Sequence, residues 1–168
     1  MIVLRRDRDL VGRRHEVWVR RSLFLLLPVI ALLALGNAFG QRPETTVSEA
    51  QAARLELETP ARIRSGLIFQ ARITIEARTR IARPVLVLNG AWLESMTTNT
   101  IEPSPSDERS VDGSPAFELQ PIAAGRRYVL YLQFQVNPTN VGRRKLTLTL
   151  FDGSRPITTL TQMRTVFP

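Results

Sequence analysis

Cysteine is absent from this 168-residue chain, and histidine and lysine occur once each, as His15 and Lys145. Without Cys there is no disulfide framework, no thiolate nucleophile and no cysteine-ligated zinc site. A single His rules out clusters of imidazole ligands. Lys145 follows Arg143-Arg144 and belongs to no Ser-x-x-Lys motif. The chain also lacks a Gly-rich phosphate loop and the D-x-D-x-D-G spacing of a calcium loop. The absences therefore remove most catalytic and metal chemistry and leave the cofactor expectation at none.

Charge of one sign dominates: 23 basic residues stand against 15 acidic ones. Its distribution matters more than its sum. Residues 1–21 hold seven arginines against Asp7, Asp9 and Glu16, whereas residues 44–168 hold 15 basic and 12 acidic groups. A nucleic-acid footprint pools its cations on one folded surface. Here half of the excess lies in a short leader, so no nucleic-acid partner is expected.

The one long uncharged run is SLFLLLPVIALLALGNAFG, residues 22–40. Nineteen residues at about 1.5 Å rise reach roughly 28 Å, the thickness of a hydrocarbon layer. The preceding arginines place the N-terminus in the cytoplasm and the C-terminal part of the chain outside. Trp18, Arg20 and Arg21 are candidate anchors at the membrane interface. A cleavable signal is the alternative, since Gly36-Asn37-Ala38 and Ala38-Phe39-Gly40 offer small residues to a signal peptidase. The length of the run and its 21-residue leader favour a signal-anchor. With His15 on the cytoplasmic side, an outer domain has no imidazole base for a Ser-His-Asp triad. The expected organisation is a basic leader over 1–21, a transmembrane helix over 22–40, a linker over 41–52 and a folded domain over 53–168.

Beyond the linker the apolar period is two. Phe69, Ala71, Ile73, Ile75 and Ala77 alternate with polar residues; so do Tyr128, Leu130, Leu132, Phe134 and Val136, and then Leu146, Leu148 and Leu150. Such alternation suits antiparallel strands with one buried face. Shorter candidates are 55–59, 84–89, 116–120 and 157–166, separated by turn signals such as Asp112-Gly113 and Asp152-Gly153. The fold class expected is all-β: an Ig-like antiparallel β-sandwich of about seven strands preceded by one transmembrane α-helix, with a closed barrel as the runner-up.

The turn chemistry resembles that of bacterial Ig-like surface repeats of the CARDB (cell-adhesion-related) and conserved-repeat type. Leu55–Pro60 is followed by Arg64-Ser65-Gly66 and the long alternating strand FQARITIEART. Further on, Ile122-Ala123-Ala124-Gly125, an alternating strand, Pro138-Thr139 and Val141-Gly142 repeat their "AG, strand, P-T-x-x-G, strand" order over about 53–151. The resemblance implies an extracytoplasmic Ig-like domain of the kind used in adhesion or scaffolding.

The segment 90–115 reads as one long loop carrying Glu94, Glu102, Asp107, Glu108 and Asp112, and an enzyme would need two of these carboxylates to converge. Trp92 and Leu93 in the same segment are candidate partner contacts, or else a lid over one end of the sandwich. Two arginine-rich stretches, 78–83 and 143–145, are candidate rims toward lipid headgroups. The expectation is a non-catalytic accessory or interaction subunit of the bacterial cell membrane. Its partners would be the lipid bilayer and another envelope protein, with no small-molecule substrate. The alternative is a surface adhesion or carbohydrate-binding module.

Overall fold

The computed structural model describes residues 14–36, 41–94 and 96–168. The basic residues before position 14, and the candidate cleavage sites at 38 and 40, lie outside the described residues. Two separate units emerge, with the division at Gly40.

The first unit contains the helix α1, Arg14–Leu35. Val17–Leu35 is long and apolar enough to cross a membrane. This stretch begins earlier than the expected 22–40, and residues 37–40 lie outside the described residues; the Gly36 N–H still bonds the Leu32 carbonyl at 2.8 Å. Pro28 lies inside the helix and leaves the Phe24 carbonyl without its usual donor. Its leucines and isoleucines are exposed throughout, with no polar stripe between them.

The second unit is an Ig-like sandwich of two sheets. One sheet, called A, contains β1 (Pro43–Glu49), β2 (Ala53–Pro60), β4 (Ile68–Ala77), β9 (Arg127–Val136) and β6 (Met96–Glu102), in that spatial order. The other, sheet B, runs β3 (Arg62–Arg64), β11 (Arg155–Phe167), β10 (Gly142–Asp152), β5 (Pro84–Leu88), β8 (Ser114–Glu118) and β7 (Asp107–Val111). All pairings are antiparallel except β3 with β11. The alternating runs become the central strands, and their apolar members meet between the sheets. Leu55, Leu57, Ile73, Ile75, Leu130, Leu132, Leu148 and Leu150 are all inaccessible to solvent.

Two expectations are corrected. The stretch expected as a linker over 41–52 contains β1, paired with β2 from Pro43–Pro60 to Glu49–Arg54. It was invisible as a strand because its inward positions, Thr46 and Ser48, are polar. They face the open margin of the sandwich, where Ser48 Oγ meets Thr158 Oγ1 at 2.8 Å. The segment expected as a loop over 90–115 holds a single helical turn, α2 (Ala91–Glu94), and the strands β6 and β7, which lie in different sheets. Both are sheet margins: β7 is exposed along its whole length and β6 buries only Met96. Neither has the apolar partner on one side that would impose a period of two. With these and β3, the strands among the described residues number eleven rather than seven. The Asp112-Gly113 turn joins β7 to β8 with φ of 50° and 73°, the two left-handed residues that a tight hairpin needs.

Candidate functional site

Trp92 is fully buried, so it is not a partner contact, whereas Leu93 beside it is exposed. The turn of α2 separates them: Trp92 points between the sheets and Leu93 away. The indole Nε1–H donates to the Thr147 carbonyl at 3.2 Å, and the ring lies 5.2 Å from that of Phe134. Apolar area and a satisfied donor together draw a Trp inward.

The cation beside it was not foreseen. Arg164 on β11 is almost wholly buried. Its Nη2 donates to Thr59 Oγ1 at 2.6 Å and its Nε to the Pro60 carbonyl at 3.2 Å, and Nη1 approaches the Met96 sulfur at 3.2 Å. The guanidinium centre stands 4.2 Å from the Phe69 ring centroid and 5.4 Å from that of Trp92. No carboxylate pairs with it among the described residues. Burial pushes its pKa down to about 9, which still leaves it charged at neutral pH. Aromatic faces and oxygen acceptors replace water around this charge. The signal for it lies in the register: position 164 shares the inward phase of Leu160 and Val166. This is an interior clamp between the sheets with no access for a ligand.

The carboxylates of segment 90–115 are dispersed. Glu94 sits on α2, Glu102 at the end of β6 in sheet A, Asp107 and Glu108 on β7 in sheet B, and Asp112 in the hairpin turn. No group of three or more His, Asp or Glu side chains could hold a metal ion among the described residues.

Surfaces therefore hold the candidate site, and the two outer faces differ. On sheet A, Arg72 pairs with Glu58 at 3.2 Å, Arg54 with Glu56 at 3.3 Å, and Arg127 with Glu76. Every one of these pairs lies in neighbouring strands or on one strand of that face. On sheet B the outward residues in the middle of β10 and β11 are threonines. Thr149 and Thr159 bond across the pair at 3.2 Å, and Thr147 and Thr161 at 3.4 Å. Beside them Val85, Val87, Val111 and Phe151 line a depression of about 470 Å³ rimmed by Arg83 and Arg109. Val85 and Val87 point outward because β5 is apolar on both faces; inward lie Leu86 and Leu88. Arg109 leans toward Glu118 at 3.8 Å, and the Arg83 side chain lies over Gly153.

The arginine-rich stretches expected as one lipid-facing rim fall at opposite ends of the sandwich. Residues 78–83 lie at the end where Ala77 pairs with Ala53; residues 143–145 lie where Gly142 pairs with Val166. On α1, Trp18, Arg20 and Arg21 are exposed. The Arg20 guanidinium stands 5.7 Å from the Phe24 ring and that of Arg21 5.9 Å from the Trp18 ring.

No protein-family model and no curated protein matches the sequence. Solved structures do resemble the fold. AvmM, which catalyzes macrocyclization in alchivemycin A biosynthesis, is 7% identical, with a TM-score of 0.46, covering 77% of this chain and 90% of its own. CaCohA2 from Clostridium acetobutylicum is 12% identical, with a TM-score of 0.47 over 70% of this chain and 92% of its own. A CARDB domain from Pyrococcus furiosus, solved in complex with di-metal ions, is 10% identical, with a TM-score of 0.42 over 75% and 94%. The class whose turn motifs the sequence resembles thus has a counterpart among these neighbours. All are too distant to bear on activity.

Proposed function

We propose that this chain is a non-catalytic interaction subunit of the cell envelope, held by α1 as a single-pass anchor with its N-terminus in the cytoplasm. The sandwich is an extracytoplasmic module that meets a second envelope protein through the outer face of sheet B. The observation that carries this reading is the depression over Val85, Val87 and Phe151. It is a recess of valine and phenylalanine side chains with Arg83, Arg109 and Glu118 at its rim, suited to an apolar side chain of the partner flanked by polar groups. The anchor reading is supported by the membrane-length apolar stretch Val17–Leu35 and by the arginines before it.

Two measurements test it. Protease added to spheroplasts should digest the sandwich and spare the N-terminus; the reverse pattern overturns the topology. A photoreactive residue at Val87 should crosslink one discrete protein, while one at Arg72 on the opposite face should not. Equal crosslinking from both positions removes sheet B as the contact face.

A carbohydrate-binding module is the second reading, favoured by one observation. Tyr131 is exposed on sheet A, where Gln70, Gln133, Thr100 and Glu102 surround it in a depression of about 430 Å³. A ring among amide and carboxylate groups is a surface on which a sugar could stack. Binding of envelope polysaccharide that Tyr131→Ala abolishes would establish this reading over the first.

A further inference from the structure

The end of the sandwich at which β1 begins differs from every other part of its surface. Pro43 pairs with Pro60, the Thr165 N–H reaches the Ala61 carbonyl, the Ser65 N–H reaches the Phe167 carbonyl, and Gly142 pairs with Val166. These contacts gather the start of β1, all of β3, the start of β10 and the end of β11 at one pole. The register of sheet B then places Arg62, Thr165 and Arg143 in one outward row, with Lys145 beside Met163 in the row above.

Arg62, Arg64, Arg143 and Lys145 are all exposed, and no ion pair involves them among the described residues. Arg144 adds a half-buried cation whose Nη2 donates to Asn140 Oδ1. The nearby acids are Glu44 on β1 and Glu94 on α2. Among the cations stand Leu67, Ile68, Val141, Met163 and Phe167, each more than two-fifths exposed. These are five of the sandwich's nine exposed large apolar side chains. The opposite pole is also basic but carries none of the nine. There Arg78 is tied to Glu49 at 2.8 Å, and Asp152 accepts the Arg83 main-chain N–H.

We infer that the pole formed by Arg62, Arg64, Arg143, Lys145, Val141 and Phe167 rests on an anionic lipid surface. Unpaired cations among exposed apolar side chains match such a surface on both counts. The cations meet headgroup phosphates, and Phe167, Val141 and Ile68 enter the interfacial layer. Chain length agrees: seven residue steps separate Gly36 at the end of α1 from Pro43, a reach of at most about 25 Å. That reach is enough for the pole to touch a bilayer that α1 crosses. The inference rests on the anchored reading proposed above, and it adds that the domain is oriented by lipid.

The full-length chain offers a direct test, because it has no cysteine to compete with an introduced label. Val141→Cys and, at the opposite pole, Thr79→Cys are spin-labelled and reconstituted into two kinds of vesicle. One is phosphatidylcholine alone; the other contains about 30% phosphatidylglycerol, in the range of an anionic leaflet. Collisions of a water-soluble nickel chelate with the label at 141 should fall about threefold or more in the anionic vesicles, while the label at 79 is unaffected. The protection should vanish in about 1 M salt, or when Arg62, Arg143 and Lys145 are changed to Glu. Equal accessibility at 141 in both vesicles overturns the inference. So does protection of equal size in both, which would mark contact between copies of the chain. Carbonate extraction decides the anchor separately. A chain retained in the bilayer but unprotected at 141 keeps the anchor and loses the lipid patch; a chain released by carbonate yet protected at 141 does the opposite.

Discussion

The outer faces of the two sheets achieve solubility by different means. Sheet A carries charges of both signs, and each cation finds its carboxylate on the same face: Arg72 on Glu58, Arg54 on Glu56, Arg127 on Glu76. The middle of sheet B carries hydroxyls, with threonines bonded across β10 and β11, and turns apolar over β5, while its charges lie on β3, on β7 and at the start of β10. A face of neutralised pairs loses solvation wherever a partner covers it, and it gains little apolar area in return. A hydroxyl and valine face has less hydration to lose. The same interior thus supports one side built to remain wet and one that a partner can dry.

The largest test of that contrast is one substitution in each face. Val85→Asp puts a carboxylate where the native side chain is 4% exposed, and it should cost about 3 kcal/mol or more. On sheet A, Arg72→Ala should cost less than about 0.5 kcal/mol. Urea melts of the two variants measure both, and comparable losses would break the contrast. A smaller effect sharpens it. Replacing Arg72 and Arg127 together by Ala should lower stability by at most about 1 kcal/mol at low ionic strength, and by nothing measurable near 1 M salt. Removing the Thr149–Thr159 contact by Thr149→Val should show no such salt dependence. Insensitivity of the sheet A pair to salt would mean that its charges act through packing.

The smallest effect concerns the margin of sheet A. Glu49 hydrogen-bonds Arg78, whose charge also acts on it, and this holds its carboxyl below the usual range. A carboxyl with a depressed folded pKa stabilises the fold above its unfolded pKa and ceases to do so as pH falls through the folded value. The protection factors of the β1 amides, exchange corrected for the intrinsic rate at each pH, should therefore fall on acidification in the native chain. In Glu49→Gln the same pH range should leave those protection factors unchanged. An identical acid response in both would assign the effect to another group.

Legibility in the sequence followed burial. The helix and the strands β4, β9 and β10 were readable because solvent, or lipid, lies on a predictable side of each residue. The readable turns were those whose glycines adopt a positive φ, as Gly113 and Gly153 do. Illegible were β1, with polar Thr46 and Ser48 facing the sheet margin, and β6 and β7, margins that bury a single side chain between them. Trp92 was legible as a residue to weigh, but the turn of α2 decided that it points inward while Leu93 points out. Arg164 could be found only by trusting the phase of β11 over the polarity of its residue. Of the basic pole only the 143–145 stretch had a linear signal; Arg62 is brought beside Arg143 by β11 between them.

Composition and periodicity by themselves determined that a membrane-length apolar helix precedes an antiparallel β domain without cysteine, because both properties are local: each depends on a residue and its near neighbours in the chain. Which strands share a sheet, where the threonines of β10 and β11 meet and which cations gather at one pole were decided by tertiary structure. Those properties depend on register between segments as far apart as Pro43 and Phe167, and hydrogen bonds and packing set that register only once the sheets have formed.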